Sequence, residues 1–418
     1  MKIRQKDLPY SAVMAIEAPK HVYPSKQSRL ARMILKAASS PEMAATGFSY
    51  SSDGMDRLGA DEPCLILMNH SSFTDLQITS TIFSGRQYHI VCTNDGFVGK
   101  ASLMRWIGCI PTRKFAVDPV LVRDLKYCFE KLSSSVIMFP EASYSFDGSE
   151  TPLPGSLGKL IKMLGVSVVM VRTKGSFLRD PLYNNLQKRK VNVSAKVKYL
   201  LSPEDTAGMS AEEISSLLDE EFRYDHFREQ YDSGVLITEP FRADGLHRVL
   251  YKCPVCGREG RMHGKGTEIK CLECGSSWEL GENGMLKDCP YPFVTDWYRW
   301  ERGEVKNEIT SGTYRMEMDV DIRILRDMEY IYHVGEGRLV HDVSGFSLTG
   351  CDGELSYTQS PRSSYSLYAD YFWYEIGDMI SIGDHRSQYY CFPKDQDAAI
   401  VAKARLACEE MYRLSSRK

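Results

Sequence analysis

The order of apolar patterns along the chain predicts an α/β fold. A mixed sheet flanked by helices comes first, then a small metal-binding ribbon, then a β-rich domain ending in a helix. Three observations carry this. From about residue 48 to 248, short apolar runs alternate with amphipathic stretches. Two Cys-x-x-Cys pairs follow, and from about 312 to 394 Tyr, Val, Ile and Phe are dense and broken by turn residues. At 418 residues the chain exceeds one ordinary core. We therefore expect an N-terminal segment 1–47, an α/β domain 48–248, a ribbon 249–288 and a C-terminal β-rich domain 289–418.

Composition narrows the class. Hydrophobic residues at 43% and charged residues at 26% are those of a soluble globular protein. A formal net charge of -3 argues against a general nucleic-acid binder, which needs a basic surface to neutralise phosphates. No run of about 18 apolar residues occurs, so no transmembrane helix is expected. The N-terminal MKIRQKDLPYS lacks the apolar stretch of a secretory signal. Eight of the twelve cysteines are scattered, which fits a reducing compartment and a cytoplasmic location.

The elements follow in order. Residues 1–25, with Pro9, Pro19 and Pro24, are expected to hold little regular structure. Ser28 to Ala38 reads as a helix with Leu30, Met33, Ile34 and Ala37 on one face and Arg29, Arg32 and Lys36 on the other. Two readings are open for it: a helix lying on an anionic bilayer, or one packed on the main domain with a solvated basic face. Cys64–Met68, Ser135–Phe139, Val166–Val171 and Val191–Leu200 read as strands, and Val120 to Leu132 as a helix. Thr295 to Ile309 reads as a connecting helix, with turns expected at Gly335-Glu336-Gly337 and Asp352-Gly353. Asp395 to Leu414 closes the chain as an amphipathic helix whose buried stripe is Ile400, Ala404, Cys408, Met411 and Tyr412. Strands followed by one helix is the layout of a pleckstrin-like module, a fold analogy only.

The chemistry concentrates after the first strand, in Asn69-His70-Ser71-Ser72-Phe73-Thr74-Asp75. An Asp five residues after a His at a strand end can hold one ring nitrogen, leaving the other to accept a proton from a substrate hydroxyl. In isolation this segment reads equally well as a capping Asp beside a buried His. Downstream, Gly108 to Arg113 places an arginine where its planar fork can grip a phosphate or a carboxylate. Phe139-Pro140-Glu141-Ala142-Ser143-Tyr144-Ser145 ends a second buried strand with a glutamate and hydroxyls.

These blocks, with the later apolar strand, resemble the four motifs of the glycerolipid acyltransferases typified by 1-acylglycerol-3-phosphate acyltransferase. The resemblance covers residues 48–210. It implies direct transfer of a fatty acyl group from acyl-CoA or acyl carrier protein to a lysolipid hydroxyl, 1-acylglycerol 3-phosphate by default, in phospholipid synthesis. It makes His70 the general base and Asp75 its orienting partner. Asn69, Arg113, Glu141 and Ser143 become substrate-binding residues, with backbone amides near Asn69 or Ala142 as an oxyanion hole. It also implies peripheral association with the cytosolic face of a membrane. Two departures stand out: Ala142 replaces a glycine, and Tyr144 replaces a cation that meets the acceptor phosphate. Lys174 or Arg172 is the expected substitute for that cation. The rival reading is a non-catalytic lipid-binding or assembly protein that keeps the fold.

Cys253-Pro254-Val255-Cys256 and Cys271-Leu272-Glu273-Cys274 form the remaining motif, each pair followed by a glycine. Two such knuckles bring four thiolates together, which resembles a zinc ribbon with structural Zn2+ on Cys253, Cys256, Cys271 and Cys274. The alternatives are two disulfides or a redox pair. Nearby His247, Arg248, Lys252, Arg258, Arg261, His263, Lys265 and Lys270 make the region locally basic, facing either anionic lipid, an acidic carrier protein or solvent. Trp278, Trp297 and Trp300 are expected in the core or at domain contacts.

Overall fold

The structure, a computed structural model, describes residues 2–115, 118–384, 386–395 and 399–416. The N-terminal segment is more regular than its prolines suggested. Strand β1 (Gln5–Asp7) and the short helix α1 (Tyr10–Met14) precede α2 (Arg29–Ala45). β1 pairs in parallel with a strand of the C-terminal sheet, Gln5 against Ile331, a partner more than 300 residues away that no local pattern announces. Ser28 caps α2 by accepting the Ala31 amide at 3.0 Å.

The first sheet holds β2 (Ser49–Asp53), β3 (Cys64–Met68), β4 (Tyr88–Thr93), β5 (Cys109–Thr112), β6 (Ser135–Met138), β7 (Ser167–Lys174) and β8 (Ser194–Leu201). Their order is β2-β8-β7-β3-β6-β4-β5, parallel except where β7 meets β8. The central β3 is buried on both faces, hence its unbroken apolar run. Cys64, Ile66 and Met68 face α2 and α3 (Asp75–Ile82) through Met43 and Ile78. Leu65 and Leu67 face the layer of Leu125, Leu157 and Ile214. After α4 (Ala101–Trp106), those residues come from α5 (Pro119–Leu132), α6 (Leu157–Leu164) and, past α7 (Ser176–Arg179) and α8 (Pro203–Gly208), α9 (Ala211–Glu221). α10 (His226–Asp232) completes this part. Adjacent parallel β3 and β6 deliver the His70 loop and the Glu141 loop to the same edge.

The ribbon is β9 (Met262–Lys265), β10 (Glu268–Cys271) and β11 (Ser277–Glu279). Helix α11 (Val294–Ser311) leads to β12 (Arg315–Leu325), β13 (Ile331–Asp342), β14 (Gly345–Gly350), β15 (Leu355–Gln359), β16 (Tyr368–Trp373), β17 (Gly377–Gly383) and β18 (Gln388–Pro393). The sheet runs β15-β14-β13-β12-β18-β17-β16, and α12 (Ala399–Ser416) follows it, the strands-then-helix layout expected. Gly335-Glu336-Gly337 is no turn: it lies inside β13 at a bulge opposite Ile322 and Arg323. Gly337 is needed there because a side chain would meet the Thr349 carbonyl oxygen at 2.3 Å.

One further expectation changes. Residues 396–398, at the expected start of the last helix, lie outside the described residues. The body of α12 is buried on every face from Val401 to Met411, not along one stripe. It is wedged among α11, β16 and the Tyr144 loop, so its Arg405 and Glu409 are buried as an ion pair at 3.2 Å. One core accordingly runs from Phe146 through Trp278 and Trp297 to Ile322 and Leu406, joining all three parts of the chain.

α2 packs on the main domain through Ala31, Arg32 and Met43. Arg32, not an apolar residue, turns inward, donating to the Gln27 carbonyl at 3.1 Å and to Gln87 Oε1 at 2.7 Å. Leu30, Met33 and Ile34 are 60%, 68% and 47% exposed, so the apolar face is the outward one. Among the described residues, no helix is long and apolar enough to cross a membrane.

Candidate active site

The end of β3 places His70 at the wall of a cavity of about 1330 Å³. Its Nδ1 lies 3.1 Å from Asp75 Oδ2, so Nε2 is the nitrogen left for chemistry. Asp75 opens α3, and the same Oδ2 accepts the Ser71 and Ser72 amides at 2.8 and 3.1 Å. The five-residue spacing thus closes a tight loop in which one carboxylate oxygen gathers two amides and the ring. The imidazole is sandwiched between Phe139 and Tyr144, with ring centroids 4.3 and 4.2 Å away.

Burial pulls His70 well below its usual value, and the ammonium of Lys114 adds to the effect. Burial pushes Asp75 up to about 8 against the pull of the Ser72 and Ser71 amides. A pair this close titrates as one unit, and both shifts say that the site resists net charge. For His70 the consequence has a definite sign. A base is active unprotonated, and a depressed value keeps it unprotonated at lower pH. We predict that the His70 ring itself, followed by NMR, stays unprotonated down to the usual imidazole value of 6.5. A ring that takes up its proton above that value would contradict this.

The structure redistributes the other residues. Arg113, just after β5, lines the cavity. Glu141 does not line it. Its carboxylate is buried, accepts the amides of His70 at 2.7 Å and Thr151 at 2.8 Å, and is met by the Tyr224 hydroxyl at 3.0 Å. It positions the His70 loop and is not placed to hold the acceptor. Asn69 is likewise a bracket: its Oδ1 accepts the Thr173 amide at 2.8 Å and its Nδ2 donates to Ser71 Oγ at 2.9 Å. Ser143 is buried, with its hydroxyl turned to the Tyr144 carbonyl at 3.4 Å, away from the cavity. The amides of His70, Ser71, Ser72 and Ala142 are all donated within the protein, so these four do not face a substrate oxyanion.

The cation expected at Lys174 or Arg172 is elsewhere too. Both pair with Glu229, at 3.6 and 3.2 Å. Lys114 lines the cavity instead, its ammonium 3.8 Å from the centre of the Tyr368 ring. Sequence reading passed over Lys114 because nothing local separates it from other lysines. Ala142 sits at φ +56, where glycine is unpenalised and alanine costs about 1–2 kcal/mol. Retaining that conformation without the glycine keeps the loop geometry that holds Tyr144 on His70.

Away from the cavity, Cys253, Cys256, Cys271 and Cys274 present sulfurs within 4.8 Å of one another. Cys253 and Cys274 are 3.7 Å apart and Cys256 and Cys271 3.8 Å. A tetrahedron of thiolates about 2.3 Å from a metal has edges of roughly 3.8 Å, whereas a disulfide needs about 2.0 Å. The donors therefore suit a four-thiolate metal site and not two disulfides.

Residues 50–174 match the family model described as Acyltransferase, so the stretch carrying His70, Asp75, Arg113 and Glu141 is an acyltransferase-family domain. No curated protein matches the chain. Among solved structures, one similar chain is the 1-acyl-sn-glycerophosphate acyltransferase PlsC from Thermotoga maritima. It is 17% identical, over 46% of this chain and 76% of that one, with a TM-score of 0.34.

Proposed function

We propose that this acyltransferase moves a fatty acyl group from a thioester donor, acyl-CoA or acyl carrier protein, to a lysolipid hydroxyl, in phospholipid synthesis. The observation carrying the reading is the His70–Asp75 pair, 3.1 Å apart, opening on a cavity with long apolar walls. His70 Nε2 takes the proton of the acceptor hydroxyl, whose oxygen attacks the thioester carbonyl. The C–S bond breaks, the ester C–O bond remains, and the leaving thiolate takes the proton back from the ring. Lys114 and Arg113, which line the cavity with His70, meet negative charge on the reacting oxygen and on the acceptor phosphate. 1-Acylglycerol 3-phosphate is the acceptor the family resemblance implies.

The four thiolates hold Zn2+ in this reading. All four positions are filled by protein, so the metal braces the ribbon and takes no part in the chemistry. The outward face of α2, flanked by exposed Arg29 and Lys36, lies on the anionic cytosolic face of a membrane. Replacing Leu30, Met33 and Ile34 together by serine should lower the affinity for anionic vesicles about tenfold or more without lowering Tm. Unchanged co-sedimentation would remove α2 from the membrane contact.

The test of the whole reading is transfer from labelled acyl-CoA and acyl carrier protein to a panel of lysolipids. Product that depends on His70 supports the enzyme. Folded protein that binds lipid but makes no product with any pair would turn the reading to the non-catalytic lipid-binding protein.

A further inference from the structure

The C-terminal sheet is part of the cavity. Tyr365, Tyr368, Asp370, Phe372 and Tyr374 line it opposite His70. The contacts are specific. The Tyr365 hydroxyl donates to the Pro140 carbonyl at 3.1 Å, and the Tyr368 hydroxyl to Asp95 Oδ2 at 2.7 Å. Arg405 of α12 donates to the Tyr144 carbonyl at 3.2 Å. The elements from residue 365 onward therefore grip the Glu141 loop at two points and the segment after β4 at a third.

The backbone of this wall is strained where it meets the cavity. Phe372, Tyr374 and Glu375 hold φ values of 53°, 47° and 65°, beside a register shift between β16 and β17. Left-handed residues with large side chains persist only where surrounding packing imposes them, and they gather at working sites. The same wall carries Asp370 toward Lys114. Burial pushes the Asp370 carboxyl up to about 7, and the Lys114 ammonium opposes the shift. Lys114 in turn acts on His70. Lys114 and Asp370 thus line the same cavity as His70, within a mostly aromatic surface.

We propose that the β16–β17 hairpin is the headgroup wall of the acceptor site, and that Asp370 with Lys114 selects a lysolipid whose phosphate is a diester bearing N–H or O–H donors. The phosphate meets Lys114, and the donors meet Asp370. A phosphomonoester brings close to two negative charges against Asp370 and is disfavoured. This rests on the acyl-transfer reading above and narrows its acceptor.

The test uses the full chain, wild type against Asp370→Asn and Asp370→Lys, with acceptors of one chain length: lysophosphatidic acid, lysophosphatidylethanolamine and lysophosphatidylcholine. The wild type should show its lowest acceptor KM with the ethanolamine ester, because the choline ester has no N–H donor. Asp370→Asn should raise that KM about tenfold or more, the size of one charge-assisted hydrogen bond, with the donor KM unchanged. Asp370→Lys should turn the preference toward the phosphomonoester. A wild type that prefers lysophosphatidic acid overturns the proposal, whatever the variants do. So does an Asp370→Asn variant that shifts all three acceptors alike. Should no acceptor react, the acyl-transfer reading fails separately, and equilibrium binding of the same three lysolipids to wild type and Asp370→Asn decides the headgroup site. Equal affinities would overturn it.

Discussion

His70→Ala lowers acyl transfer by roughly 10²–10⁴-fold, the contribution of a positioned general base, while the circular dichroism spectrum stays native. The loss is large because no neighbour can take over the proton. Asp75 is wholly buried behind the ring, with its Oδ2 committed to the Ser71 and Ser72 amides. Glu141 is sealed among His70, Thr151 and Tyr224. The fold survives because those amide bonds, which shape the loop, use Asp75 and Glu141 and not the imidazole. Single-turnover transfer with a labelled donor measures the effect. Activity within a few fold of wild type in natively folded His70→Ala would remove the dyad from the mechanism. Glu141→Gln tests positioning: it puts an NH2 where one of the His70 and Thr151 amides needs an acceptor, so it should lower transfer, but by less than His70→Ala.

How much of this was legible in the sequence depends on the range of the interactions. The His70–Asp75 contact was readable because the two residues stand five positions apart in one loop, and the four thiols because each Cys-x-x-Cys is a local knuckle. β3, β6 and β7 were readable because a strand buried on both faces cannot alternate. What was not legible depends on distant partners. The assignments of Asn69, Glu141 and Ser143 to substrate failed because their side chains are consumed by Thr173, Thr151 and the Tyr144 carbonyl, contacts set by tertiary packing. Lys114, Asp370 and Arg405 carry no motif at all, and only the closure of the C-terminal sheet over the β5 and β6 loops gives them a place. α2 was legible as a helix, but its orientation was not. The buried hydrogen bonds of Arg32 turn the apolar face outward, against what its amphipathic pattern alone implies for a packed helix.

Removing metal from the ribbon with a chelator should strip protection from the amides of residues 249–280 first, and should lower Tm by on the order of 10 °C. Cys253 and Cys271 are fully buried in the shared core, so a metal-free site leaves buried thiols held near one another with no bond between them. The damage does not stop at the ribbon. Trp278 packs edge-on against Trp297 at 5.1 Å, and the Trp297 indole donates to the Lys252 carbonyl at 3.0 Å. Glu301 of the same helix accepts the Lys252 amide at 2.8 Å. α11 is therefore anchored to the residue preceding the first thiol. Its Arg302 pairs with Glu409 and Glu410 of α12, and α12 holds the Tyr144 loop through Arg405. Acyl transfer should accordingly decline after ribbon protection is lost, although no metal step enters the reaction. Hydrogen exchange followed in parallel with transfer activity checks the order. A reductant without chelating power should change neither, since it would act only if the sulfurs were paired as disulfides. Unchanged exchange in protein shown to be metal-free would sink the structural role of the site.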